Sequence, residues 1–193
     1  MSYVPVSRRT IRRHRESERS TRRLVVALST GAVLAWLLSV TFSALVNVGD
    51  DVHNVDLAVH DLFLVVAFGA IILVDWHGFL WLIGRRKLGE IIRLDAAATP
   101  LIWGGLAGLL ATGVFLSPHL DNPMTEFKLG AVLVLSLNGI MLIPLMRRLA
   151  RLPAEARFTD LTRGQRLHMV ACLAVSQLCW WTAIIIGFIN AES

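Results

Sequence analysis

The residues of this chain best suited to chemistry are histidines and aspartates set close to long apolar runs. The stretch at 50–61 reads Asp50-Asp51-Val52-His53-Asn54-Val55-Asp56-Leu57-Ala58-Val59-His60-Asp61. If it is helical from about residue 52, His53, Asp56 and His60 fall on one face at i, i+3 and i+7. Two imidazoles and a carboxylate at that spacing suit a divalent metal such as zinc or copper. His119 and Asp121, beyond the third apolar run, supply further ligands. Positions i and i+7 lie about 10 Å apart along a helix axis, so closing this set on one ion needs a bent or frayed helix end.

A second constellation lies within the apolar runs themselves. Asp75 and His77 occupy the second run, Asn138 the fourth and Gln177 the fifth, which His168 opens. Ionisable groups inside a hydrocarbon layer are costly and turn towards a bundle interior, so Asp75 is a candidate protonatable site of a transporter. Its structural alternative is a carboxyl group paired with a nearby arginine or hydrogen-bonded to Asn138 or Gln177. The histidines also admit bis-histidine haem b in a transmembrane electron carrier, His60 with His119 at one end and His77 with His168 at the other. The 17 residues between His60 and His77 turn them about 100° from a common helical face.

Other chemistries find no support. There is no Gly-rich phosphate loop, no helical zinc-protease motif and no Gly-x-Ser-x-Gly elbow, so the chain does not read as a hydrolase or transferase. Cys172 and Cys179 stand seven residues apart on one run, about 10 Å along a helix and too far for a disulfide. They read as small packing residues.

The elements that must position these groups are membrane helices. The chain has 193 residues, 55% of them hydrophobic. Five apolar runs, at 24–46, 57–83, 99–117, 126–146 and 167–189, each reach the roughly 20 residues that cross a bilayer. Basic residues alternate between the gaps. The segment before the first run, the second gap and the fourth gap together hold 18 Lys and Arg, whereas the first gap and the stretch at 118–128 hold only Lys128. Positive charge is retained in the cytoplasm, which predicts an all-α, polytopic bundle of five transmembrane helices with its N-terminus inside and its C-terminus outside. The domains are then a basic tail at 1–23, a membrane domain at 24–189 and a short outer tail at 190–193. The expected location is the bacterial inner membrane. No aromatic side chains interleave with the tail arginines, which argues against nucleic acid. The basic stripe instead suits the anionic lipids of the cytoplasmic leaflet.

Local signals set the expected boundaries. Thr99-Pro100 and Asn122-Pro123 each place a capping residue before a proline at the first helical position. The stretch at 84–98 reads as a short interfacial helix or as an extension of the second run. Gly104 and Gly108 form a small-xxx-small pair, which predicts that the third helix is the most buried. The same chemistry serves a homo-oligomer or a larger membrane complex. Trp76, Trp81 and Trp103 suit an aromatic belt at the inner boundary.

The segments "HDLFLVVAFGAIILVDWHGFLWLIGRRKL", "TPLIWGGLAGLLATGVFL" and "FKLGAVLVLSLNGIMLIPLMRRL" share a texture: a histidine opening one helix, a Gly-rich helix ending in Thr112-Gly113, and Phe127-Lys128-Leu129 leading into the next. In this the chain resembles small bacterial integral membrane proteins similar to the copper-resistance-D family. The resemblance implies handling of copper or haem at a membrane, with His60 the residue that maps onto it. Three functional classes follow: a metal- or haem-handling protein centred on the outer histidines, an accessory subunit of a larger membrane complex, and a proton-coupled transporter using Asp75.

Overall fold

A computed structural model describes residues 8–46, 48–116 and 121–191, with side chains from residue 16 to 190. The described residues form α1 (Arg8–Ser43), α2 (Asp50–Leu82), α3 (Leu88–Thr112), α4 (Pro123–Leu149), a 3-10 turn at Phe158–Asp160, and α5 (Arg163–Ala191), with no strand among them. All five α-helices contain a stretch long and apolar enough to cross a bilayer. Their outward faces carry Leu34, Leu62, Val65, Phe127, Leu178 and Phe188, all exposed to the surroundings of the bundle. An apolar outer surface of this extent suits a hydrocarbon solvent and not water.

The helices pair as two antiparallel hairpins. The α2 helix packs along α3, and α4 along α5; the two hairpins touch more sparingly, and α1 leans on α4 with lesser contact to α3. Small residues explain the first pairing. A Cβ at Gly105 would stand 2.7 Å from Ala67 Cβ and 3.0 Å from the Phe63 carbonyl oxygen, and one at Gly108 would collide with the Phe63 ring. The close approach therefore uses Gly105 and Gly108. Gly104 faces open space, so the expected Gly104/Gly108 pair is displaced by one residue, which a helix turns by about 100°. Nor is α3 singular in its burial, since α4 and α5 bury the same share of their apolar windows.

The three arginine-rich segments meet at one end of the bundle, where the helix hairpins are locked together. The Trp81 indole donates to the Ala156 carbonyl at 2.9 Å, Gly89 N–H to the Ala154 carbonyl at 3.0 Å, and Lys87 pairs with Glu155 at 2.8 Å. Beneath these bonds Trp81, Leu88, Ile91, Leu145, Leu149 and Leu161 form a buried cluster. Trp81 is thus a core residue, and Trp103 packs over Gly139; of the three expected belt tryptophans only Trp76 is exposed. Gly84, with φ of 76°, closes α2: its N–H bonds to the Trp81 carbonyl and that of Arg85 to the Leu80 carbonyl.

This lock also moves a helix boundary. The α3 helix starts at Leu88 and runs through Pro100, so Thr99-Pro100 is interior and 84–98 is neither a separate interfacial helix nor a continuation of α2. Burial of Leu88 and Ile91 in the cluster holds the early turns, and Thr99 Oγ1 donates to the Asp95 carbonyl at 2.7 Å one turn back. At Asn122-Pro123 the expected cap is present: the Asn122 side chain accepts from Met124 N–H at 2.9 Å.

Candidate functional site

Between the two hairpins lies a cavity of about 470 Å³, within the range of small-molecule sites. Each core helix presents one stripe to it at helical spacing. These are Ile71, Asp75, Gly78 and Leu82 on α2, and Met169, Cys172, Ser176 and Trp180 on α5; α3 adds Asp95, Thr99 and Trp103, and α4 adds Leu135, Asn138 and Leu142. The walls are largely apolar, with two carboxyl groups, three indoles and, at the basic end, Arg147, whose guanidinium group is bonded to Thr21, among them.

Asp75 is the centre of the polar set. Gln177 Nε2 donates to Asp75 Oδ2 at 2.5 Å, joining α5 to α2 across the gap between the hairpins. The α2 and α5 backbones scarcely approach one another. Besides this bond, the ring of Phe68 meets Trp180 at 5.6 Å and Trp181 at 5.3 Å between centroids. Asn138 is used differently: its Nδ2 donates to the Cys172 carbonyl at 2.8 Å and ties α4 to α5 within one hairpin. The Trp180 indole N–H is buried and finds no acceptor among the described residues. A cavity wall thus holds an unspent donor beside carboxylate and aromatic surface. Carboxylates with aromatic faces in a water-poor space attract organic cations, through charge and through cation–π contact.

The His53, Asp56 and His60 face does not converge. His60 turns to α3, where its Nδ1 meets Thr112 Oγ1 at 2.7 Å. The Thr112 hydroxyl lies 2.7 Å from the Gly108 carbonyl, to which it donates. It therefore accepts from His60, placing the proton on Nδ1 and leaving Nε2 as an acceptor. The charge of Lys128 also bears on His60, an unfavourable neighbour for a cation. Asp56 stays near His53 and keeps one buried oxygen without a partner. Among the described residues, no three His, Cys, Asp or Glu side chains come together as a metal site. His119 lies outside the described residues, and Asp121 is exposed.

Nor do the histidines of the other end face each other inside the bundle. His77 Nδ1 bonds to the Leu73 carbonyl of its own helix at 2.9 Å, His168 is exposed, and neither lines the cavity. A haem in that space finds no axial imidazole among the described residues, so neither metal nor haem fits the side chains brought together here.

No family model, curated protein or solved structure matches this chain.

Of the polar residues singled out within the apolar runs, Asp75 and Asn138 line the site, and Gln177 stands behind Asp75, bonded to its carboxyl group. Asp95, Trp103 and Trp180 were not anticipated there. Asp95 lay hidden because a helix start at Thr99 puts it before the third apolar run, in the gap at 84–98. An Asp followed by three alanines is itself a helix-compatible signal.

Proposed function

We propose that this protein is a multi-pass carrier of the bacterial inner membrane, N-terminus in the cytoplasm, that binds a small hydrophobic organic cation in exchange for a proton at Asp75. The observation that carries the proposal is Asp75, bonded to Gln177 behind it, in the wall of an apolar, indole-lined cavity between the two helix hairpins. In the empty site the protonated carboxyl group is neutral and still accepts from Gln177 through its carbonyl oxygen. When a cation enters, the carboxyl group releases its proton and becomes the counter-charge. The proton leaves and the charge of the site is unchanged, which avoids the cost of an unpaired ion in hydrocarbon. Gln177 holds the carboxylate oxygen in both states, and Trp81, Trp103 and Trp180 supply aromatic surface.

Because those indoles line the cavity, occupancy is read by intrinsic fluorescence. Titration of the purified protein with benzyltrimethylammonium, a permanent cation of suitable size, is expected to give a saturable change. Asp75→Asn should weaken it at least tenfold, or about 1.4 kcal/mol. No saturable binding to the wild-type protein, or equal binding by the variant, overturns the proposal. Failure to bind would favour an accessory subunit of a larger membrane complex.

A further inference from the structure

A second recess, of about 510 Å³, lies between α1 and α4 at the arginine-rich end and is separate from the central cavity. Its walls change character along the helix axis. Arg22, Arg148 and Arg151 line one part together with Ser17, Thr21 and Glu18, while Val25, Val26 and Pro144 line the part towards the middle of the helices. The frame is held from both sides: Arg147 donates to Thr21 Oγ1 at 2.9 Å and Arg151 to Ser17 Oγ at 2.8 Å. Arg22 and Arg148 make no hydrogen bond or ion pair among the described residues, although both border the recess. Two guanidinium groups thus border a partly apolar recess with no anion of the described residues paired to them.

We propose that this recess is a binding site for an anionic phospholipid, with phosphate held by Arg22, Arg148 and Arg151 and an acyl chain running over Val25, Val26 and Pro144. Three guanidinium groups against the one carboxylate of Glu18 leave a net charge of +2 in the walls, which complements a headgroup carrying two phosphates. A free phosphate ion would use the arginines and leave the apolar part unfilled, so the amphipathic lining selects a lipid. The α1 helix buries none of its apolar window. A lipid seated here adds contacts between α1 and α4 and strengthens their attachment.

The test is native mass spectrometry of the full-length protein from nanodiscs of phosphatidylcholine doped with either phosphatidylglycerol or cardiolipin, with thermal denaturation in the same discs. Wild-type protein should retain a bound anionic lipid, cardiolipin more than phosphatidylglycerol, and melt higher than in pure phosphatidylcholine. Arg22→Gln with Arg148→Gln preserves the Arg147–Thr21 and Arg151–Ser17 hydrogen bonds. It should lower lipid occupancy at least tenfold and abolish the stabilisation. Arg85→Gln with Arg93→Gln removes the same charge at the same end outside the recess and should leave both unchanged. Inorganic phosphate at millimolar concentration should not displace the lipid. Equal loss in the two double variants, displacement by phosphate, or retention by the Arg22/Arg148 variant would each overturn the assignment.

Discussion

At the scale of single residues, the decisive contact is the Asp75–Gln177 hydrogen bond between α2 and α5, which stands beside the ring contacts of Phe68 with Trp180 and Trp181. Gln177→Leu leaves the Asp75 carboxyl group without its donor and is expected to destabilise the protein by about 1–3 kcal/mol, the cost of an unsatisfied buried polar group. Replacing both partners, Asp75→Leu with Gln177→Leu, should recover most of that stability while cation binding stays lost. Thermal denaturation in detergent beside the fluorescence titration separates the two effects. If the double variant is no more stable than Gln177→Leu, the bond is not the unit assumed here. Asp75 and Gln177 were legible in the sequence because a carboxyl and an amide within apolar runs have few other partners. His60 stood out in the sequence as a candidate metal or haem ligand, but its hydrogen-bond partner on α3 did not. Its spacing from His53 suggested convergence, whereas a hydroxyl one helix away took the imidazole first. That competitor, Thr112, carries no signal in sequence beyond its place at the end of a Gly-rich helix.

At the scale of elements, register decides what a glycine stripe does. Gly105 and Gly108 meet Phe63 and Ala67 of α2, whereas Gly104 faces open space. Gly105→Leu and Gly108→Leu should therefore prevent folding or lower the melting temperature steeply, while Gly104→Leu should be tolerated. Equal damage at all three positions would place another helix, or another copy of the chain, against Gly104. The stripe was visible in the sequence, but its facing side was not, because one residue turns a helix by about 100° and the partner surface is remote in sequence. The start of α3 was misplaced for a related reason. Thr99-Pro100 carries a local capping pattern, and tertiary burial of Leu88 and Ile91 overrides it. At Asn122-Pro123, where no such burial competes, the local pattern holds. The clamp across the basic end belongs to this scale too. Lys87 is exposed, and its hydrogen bond to Glu155 and the charge of that partner hold its ammonium group above the usual lysine range. The Lys87–Glu155 pair therefore persists through neutral pH and is lost as Lys87 deprotonates at alkaline pH, while the Trp81 and Gly89 hydrogen bonds remain.

At the scale of the whole molecule, two hairpins are locked at the arginine-rich end by Trp81, Lys87 and Gly89, and joined further along by the Asp75–Gln177 bond and a buried cluster of Ala67, Leu106, Leu135 and Trp180. The five-helix architecture was the most legible property of the sequence, because hydropathy and charge are summed over whole segments and survive local errors. Reporter fusions at residues 50, 90, 120, 155 and 193 should place 90 and 155 in the cytoplasm and the other three outside; a cytoplasmic signal at 193 would reverse the proposed topology. The central claim, cation exchange for a proton at Asp75, is tested most directly in sealed proteoliposomes holding a pH-sensitive dye. Benzyltrimethylammonium cannot shed a proton, so any change of internal pH on its addition outside reports the exchange itself. The account predicts alkalinisation of the lumen by wild-type protein and none by Asp75→Asn incorporated to the same density. An unchanged lumen with the wild type, or the same alkalinisation with the variant, would contradict it.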